Sequence, residues 1–268
     1  MDFDKLFEDY LARWCKAHED EFDSVEDMED MIPEIYEEWA DSPSDQIGGV
    51  APREFFENIT SADELVNMLI GTSAEDQNPC SLLLDRIAEV PECANELNKI
   101  LKGNYGVQQK MIAVNLISEM NAPHPLELYV SWISSKEVDS ELKEIAIEIL
   151  CDNADAAADM LFPLIGGADT ELKTYIAEIL CNAEKDERTY ALLTELFETG
   201  DNIPLYAGYI GKYGDERSAA MLYKALDDCN YLEFIEIKNA IERLGGVVDD
   251  EMRDFSDDIY YKAIKNLK

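Results

Sequence analysis

Histidine, cysteine and paired carboxylates are the side chains best suited to chemistry near neutral pH. The chain has two histidines and six cysteines. His18 stands beside Glu19 and Asp20, and His124 lies between Pro123 and Pro125 in a turn. A surface histidine accounts for each better than a base or a metal ligand. Cys15, Cys80, Cys93, Cys151, Cys181 and Cys229 are scattered with no Cys-x-x-Cys spacing. Cys151 and Cys181 read as small buried thiols at packed helix ends, neither bridged nor liganding. The acidic run over Glu19–Asp23 and Glu26–Asp30 lacks the spaced ligands, glycine and closing glutamate of a calcium loop. No Gly-x-Ser-x-Gly, His-Glu-x-x-His or phosphate-binding glycine loop occurs. The expectation is a protein without catalytic residues, metal or cofactor.

Two arginines stand out. Asp186-Glu-Arg-Thr-Tyr-Ala-Leu-Leu returns 29 positions later as Asp215-Glu-Arg-Ser-Ala-Ala-Met-Leu, so Arg188 and Arg217 hold one place in successive helices. Two aligned guanidinium groups can clamp a carboxylate-bearing peptide. Alternatively, each pairs with a nearby Asp or Glu and ties adjacent turns together.

The charge limits the partners. Among 268 residues, 59 are acidic and 22 basic, a net charge of −37. Nucleic acid and anionic membranes attract proteins through Lys and Arg, so direct binding to either is disfavoured. A basic or mixed-charge protein or peptide is the electrostatically favoured partner. No basic region followed by an apolar run opens the sequence, and no stretch approaches the ~20 apolar residues of a membrane span. Free thiols then point to the cytoplasm.

These residues are carried by helices. Phe3, Leu6, Phe7, Tyr10, Leu11 and Trp14 form one helical stripe within residues 1–20. A second stripe, Val25, Met28, Ile32, Ile35 and Trp39, is interrupted by Pro33, which predicts a kink or break near Met31. The turn-rich Asp41–Val50 stretch separates an acidic N-terminal helical cap, residues 1–58, from residues 59–268. Pro52 opens a short helix, and Thr60 or Ser61 caps the next, whose Leu65, Met68 and Leu69 face inward. Residues 71–79 read as a loop, followed by helices near 80–90 and 92–101.

The clearest signal is a duplication. Glu141-Leu-Lys-Glu-Ile-Ala-Ile-Glu-Ile-Leu-Cys151 recurs 30 positions later as Glu171-Leu-Lys-Thr-Tyr-Ile-Ala-Glu-Ile-Leu-Cys181, with seven of eleven positions identical. The helix around Lys110 aligns with the first copy at an offset of 33. Such a period marks stacked helix pairs, none of which buries its apolar side alone. The pairs fall near 107–134, 140–165, 171–198 and 203–227, and a last pair joins 231–244 to a helix near 249–266. Gly166-Gly167 and Gly245-Gly246 are expected to close helices at positive φ.

Ile210-Gly-Lys-Tyr-Gly-Asp-Glu-Arg-Ser-Ala-Ala-Met-Leu-Tyr-Lys-Ala-Leu-Asp-Asp228 resembles the HEAT-like repeat of the phycobilin-lyase type. The Leu-Lys turns at Asp139–Lys143 and Asp169–Lys173 echo that repeat's incoming helix. The resemblance covers about residues 105–250 and implies an all-α, right-handed α-solenoid over residues 59–268. The sequence departs from the pattern at Gly106 and at Asn230–Glu233. In this family the outgoing helices line the concave side, which makes Tyr129, Trp132, Arg188, Tyr190, Arg217 and Tyr223 the expected partner-binding residues. The expected function is a protein-interaction scaffold. The alternatives are an enzyme on the same repeats, of bilin-lyase or DNA-glycosylase type, and an acidic inhibitor that occupies a nucleic-acid-binding site.

Overall fold

The computed structural model describes residues 2–19, 25–74, 79–249 and 252–265, and these residues are α-helical with no strand among them. An isolated antiparallel bridge joins Ser44 to Val50. The chain divides into two compact units, Met1–His124 and Pro125–Lys268.

In the first unit, α1 (Phe3–Ala17) starts where the Asp2 carboxylate accepts the Lys5 amide at 3.0 Å. Its aromatic stripe faces inward at Phe3, whose ring lies 4.6 Å from that of Phe56, and at Phe7, 5.3 Å from Trp39. The break before Pro33 is present: α2 (Val25–Glu29) stops and α3 (Ile32–Ala40) starts, with proline in the first turn, where its missing N–H is harmless. Ile35 and Trp39 are buried as the stripe requires, but Ile32 is exposed at the start of α3. The Val25 side chain and residues 20–24 of the acidic run lie outside the described residues.

The Asp41–Val50 stretch belongs to this unit. Arg53 bonds Asp41 at 2.7 Å and Glu37 at 2.5 Å, holding α4 (Pro52–Glu57) against the end of α3. Ser61 caps α5 (Ala62–Ala74), which continues into the predicted loop; residues 75–78 lie outside the described residues. The helices α6 (Ser81–Glu89), α7 (Cys93–Lys102) and α8 (Val107–Glu119) pack with α5 around Leu65, Leu69, Ile87, Leu97, Ile100 and Ile117, all fully buried.

Most helices of the second unit fall near the predicted ranges. Its helices are α9 (Leu126–Ser134), α10 (Ser140–Asp152), α11 (Ala154–Leu161), α12 (Thr170–Leu180), α13 (Glu187–Thr199), α14 (Ile203–Tyr213), α15 (Ala219–Ala225), α16 (Tyr231–Arg243) and α17 (Ile259–Lys265). Side-chain caps set many of the starts: Asp139, Asp169, Asp186 and Asn202 accept amides of the first turns of α10, α12, α13 and α14. Asn230 and Glu233 form a reciprocal capping box on α16. Helix α10 packs on α9 and α12, α12 on α13, α13 on α14, and α14 on α16.

The two copies of the duplicated helix bury matching positions: Ala146, Ile147 and Leu150 in α10, and Ile176, Ala177 and Leu180 in α12. The small and large residues exchange places between the copies, so the combined volume is kept. Gly200, Gly214 and Gly245 end helices at φ +76°, +73° and +83°. Gly166 and Gly167 do not adopt positive φ. Pro163 instead tightens this stretch into a 3-10 turn over Phe162–Gly167, which runs out into extended backbone at Ala168. The last helix is also shorter than expected, because the Asp258 carboxylate caps the amides of Tyr260 and Tyr261 at 2.8 and 3.1 Å and starts α17 there. Residues 250, 251 and 266 of that predicted helix lie outside the described residues.

Candidate partner-binding surface

The six residues expected to line a groove have different surroundings. Tyr129 is fully buried and Trp132 nearly so, their rings 5.2 Å apart on the face of α9 that packs against α10 and α11. They are core residues. An i, i+3 aromatic pair meets whichever neighbour that face abuts, and here the neighbours are helices of the same unit.

Arg188 and Arg217 form a repeated internal clasp. Arg188 donates Nε and Nη2 to Asp186 at 2.9 and 2.8 Å, and its guanidinium lies 3.5 Å over the Phe162 ring. Arg217 donates Nε and Nη2 to Asp215 at 3.0 and 2.7 Å, reaches Glu187 at 3.0 Å, and lies 4.2 Å over the Tyr190 ring. Each arginine thus clamps the cap of its own helix and covers an aromatic ring contributed by the preceding helix pair. The guanidinium beside Asp186 holds its carboxyl at about 2, and Arg217 lowers that of Asp215. The Tyr213 hydroxyl accepts from the Asp186 amide at 2.6 Å and donates to its carbonyl at 3.0 Å, a second tie between the same turns. Tyr223 is exposed, yet its hydroxyl donates to the Val247 carbonyl at 3.0 Å and accepts from the Val247 amide at 3.1 Å.

A surface absent from the sequence expectation runs across the incoming helices. On α12, Glu171, Tyr175 and Glu178 are spaced i, i+4, i+7 and share one face. The Tyr175 hydroxyl donates to Glu171 at 2.8 Å. From α14, the Tyr209 hydroxyl donates to the Glu178 carboxylate at 3.1 Å. Burial, then Glu171, Glu144 of α10 and Glu178 push the Tyr175 phenol up to about 12. The Tyr209 phenol is raised by burial and then by Glu178. Glu144, Glu148 and Glu171 are exposed, whereas Glu178, Tyr175 and Tyr209 are half-buried. Charged carboxylates therefore stand beside neutral phenol rings, a combination suited to accept Lys or Arg donors and to place a ring face under the cation. The duplication contained the signal: Glu148 and Glu178 are the same residue at the same repeat position, outside the buried stripe. The tyrosines that complete the face have no counterpart at that offset.

The remaining candidates serve local structure. His18 Nδ1 lies 2.8 Å from the Trp14 carbonyl with its ring stacked 4.1 Å from Trp14. His124 Nε2 lies 3.2 Å from the Ser118 hydroxyl, and burial lowers its pKa. Cys151 and Cys181 both donate to the Glu178 carbonyl, at 3.6 and 3.0 Å, and burial pushes their thiols up to about 12 and about 11. All six cysteines are unbridged. Among the described residues no helix is long and apolar enough to cross a membrane.

No protein-family model, curated protein or solved structure matches the chain significantly.

Proposed function

We propose that the chain is a non-catalytic protein-recognition scaffold whose helix pairs form an α-solenoid of HEAT-like repeats. Its partner is a protein or peptide of basic or mixed charge, met in the cytoplasm. Supporting the repeat reading are the eleven-residue duplication at an offset of 30, the matched caps of α10 and α12, and the arginine clasp written twice at an offset of 29.

The observation that carries the functional reading is the carboxylate–phenol face of α10, α12 and α14. Three carboxylates, Glu144, Glu171 and Glu178, share it with Tyr175 and Tyr209. Recognition is by charge and shape, with no bond made or broken. The net charge of −37 adds a long-range attraction for the same partner class.

Binding to an array of peptides graded from acidic to basic tests this. The triple variant Glu144→Gln/Glu171→Gln/Glu178→Gln is expected to weaken capture of Lys/Arg-rich peptides about tenfold, at roughly 0.5 kcal/mol per exposed pair. A control triple in the first unit, Glu8→Gln/Glu26→Gln/Glu34→Gln, removes the same charge and is expected to change capture less than twofold. Equal losses in both triples would show that overall charge, and not this face, does the binding.

A further inference from the structure

A cleft of about 640 Å³ opens beside α16 and the segment leading into α17. Its apolar walls are aromatic. The Tyr231 ring meets those of Phe255 and Tyr261 edge-on at 5.3 and 4.9 Å, and Phe234 lies 4.9 Å from Phe255. This leaves a ring-lined space whose volume suits a small molecule.

The polar residues of the cleft reverse the character of the chain. Among the described residues Lys238 and Arg253 line it with one carboxylate, Asp254, whereas the whole chain has 59 acidic and 22 basic residues. Lys238 lies one turn beyond Phe234 and two beyond Tyr231, so all three share a face of α16. Its side chain is only 19% exposed and its Nζ sits 3.7 Å from Glu242. Arg253 is anchored by Nη1, which donates to the Leu226 carbonyl at 3.2 Å, with the guanidinium 5.3 Å over Phe255. The nearby carboxylates have partners of their own: Asp254 accepts from the Ser256 amide and hydroxyl at 2.8 and 3.1 Å, and Asp258 accepts the amides of Tyr231, Tyr260 and Tyr261.

We propose that this cleft binds a small aromatic carboxylic acid, its ring laid against the wall that Tyr231, Phe234, Phe255 and Tyr261 form together and its carboxylate toward Lys238 and Arg253. The site is separate from the carboxylate–phenol face and selects the opposite charge. Stacking alone accepts any planar ring, and the two cations supply the preference for an anion.

The net charge makes the test discriminating. Nonspecific attraction to a −37 chain ranks a cationic ring compound first and an anionic one last. Ligand-observed NMR titration of the full chain with indole-3-acetate, indole-3-acetamide and tryptamine separates the two cases. Indole-3-acetate is expected to bind about tenfold more tightly than either analogue, as a charge-assisted contact requires. Lys238→Gln is expected to abolish that preference while the amide still binds, and Tyr261→Ala to weaken all three probes. Tryptamine binding as tightly as indole-3-acetate, or better, overturns the proposal. So does an undiminished preference in folded Lys238→Gln.

Discussion

At the residue scale the sharpest contrast is between Asp186 and Asp215. Both cap a helix, and both receive an arginine two residues on, at nearly the same distances. Their side chains differ in exposure, 33% for Asp186 against 10% for Asp215. Asp215→Ala removes the amide cap of its turn and leaves Arg217 without its least exposed partner, so a loss of about 2 kcal/mol is expected. Asp186→Ala is expected to cost less, because water replaces more of what the carboxylate supplied. Urea unfolding of the two variants measures the order, and equal losses would refute a role for burial in the Arg217 clasp. The pairing of each arginine with an aspartate two residues earlier was legible in the Asp-Glu-Arg motif. The rings of Phe162 and Tyr190 beneath the guanidinium groups were not, since each comes from a different helix pair.

At the scale of elements, the approach of α14 to α16 decides how the last part of the second unit packs. A Cβ at Gly211 would stand 2.8 Å from the Ala240 Cα, so only glycine permits this approach. Gly208, one turn earlier in α14, faces open space. Gly211→Ala is therefore expected to destabilise by about 1–3 kcal/mol through overpacking. Gly208→Ala is expected to stabilise by about 0.5–1 kcal/mol through reduced backbone freedom in the unfolded chain. Thermal unfolding of the two variants should shift in opposite directions. A shared sign would mean that α14 is not held against α16 in this way. Sequence alone presents both as glycines inside one apolar helix, and nothing local separates them.

Across the whole molecule, charge governs the response to solution conditions. A net −37 implies self-repulsion in the folded state, which salt and acid both relieve. Asp4 and Asp85 have raised carboxyl pKa values, from burial and then from neighbouring carboxylates, so their unfavourable charge is relieved as pH falls toward the carboxylate range. Asp169, Asp186 and Asp215 are lowered by bonding to Lys136, Arg188 and Arg217 respectively, and Asp186 sits at about 2. Their contribution is fully present above the ordinary value near 3.9 and is lost as pH falls through the depressed folded values. Melting temperature is thus expected to rise between pH 7 and about 5, to fall below about 3.5, and to rise with NaCl at pH 7. A steady decline from pH 7 to 5 would show that paired carboxylates outweigh repulsion throughout.

Local signals in the sequence were enough to place most helices of the second unit and most of their starts. Periodicity, side-chain caps and prolines act over a few residues, and the duplication set the register of α10 against α12. It also marked the two arginines as a repeated pair. Packing between helices settled which side chains are buried and which come together at the surface. Tyr129 and Trp132 went into the core, and Tyr209 of α14 met Glu178 of α12 beside Tyr175. Burial is a property of what approaches a face, and spacing within one helix carries no record of its neighbours.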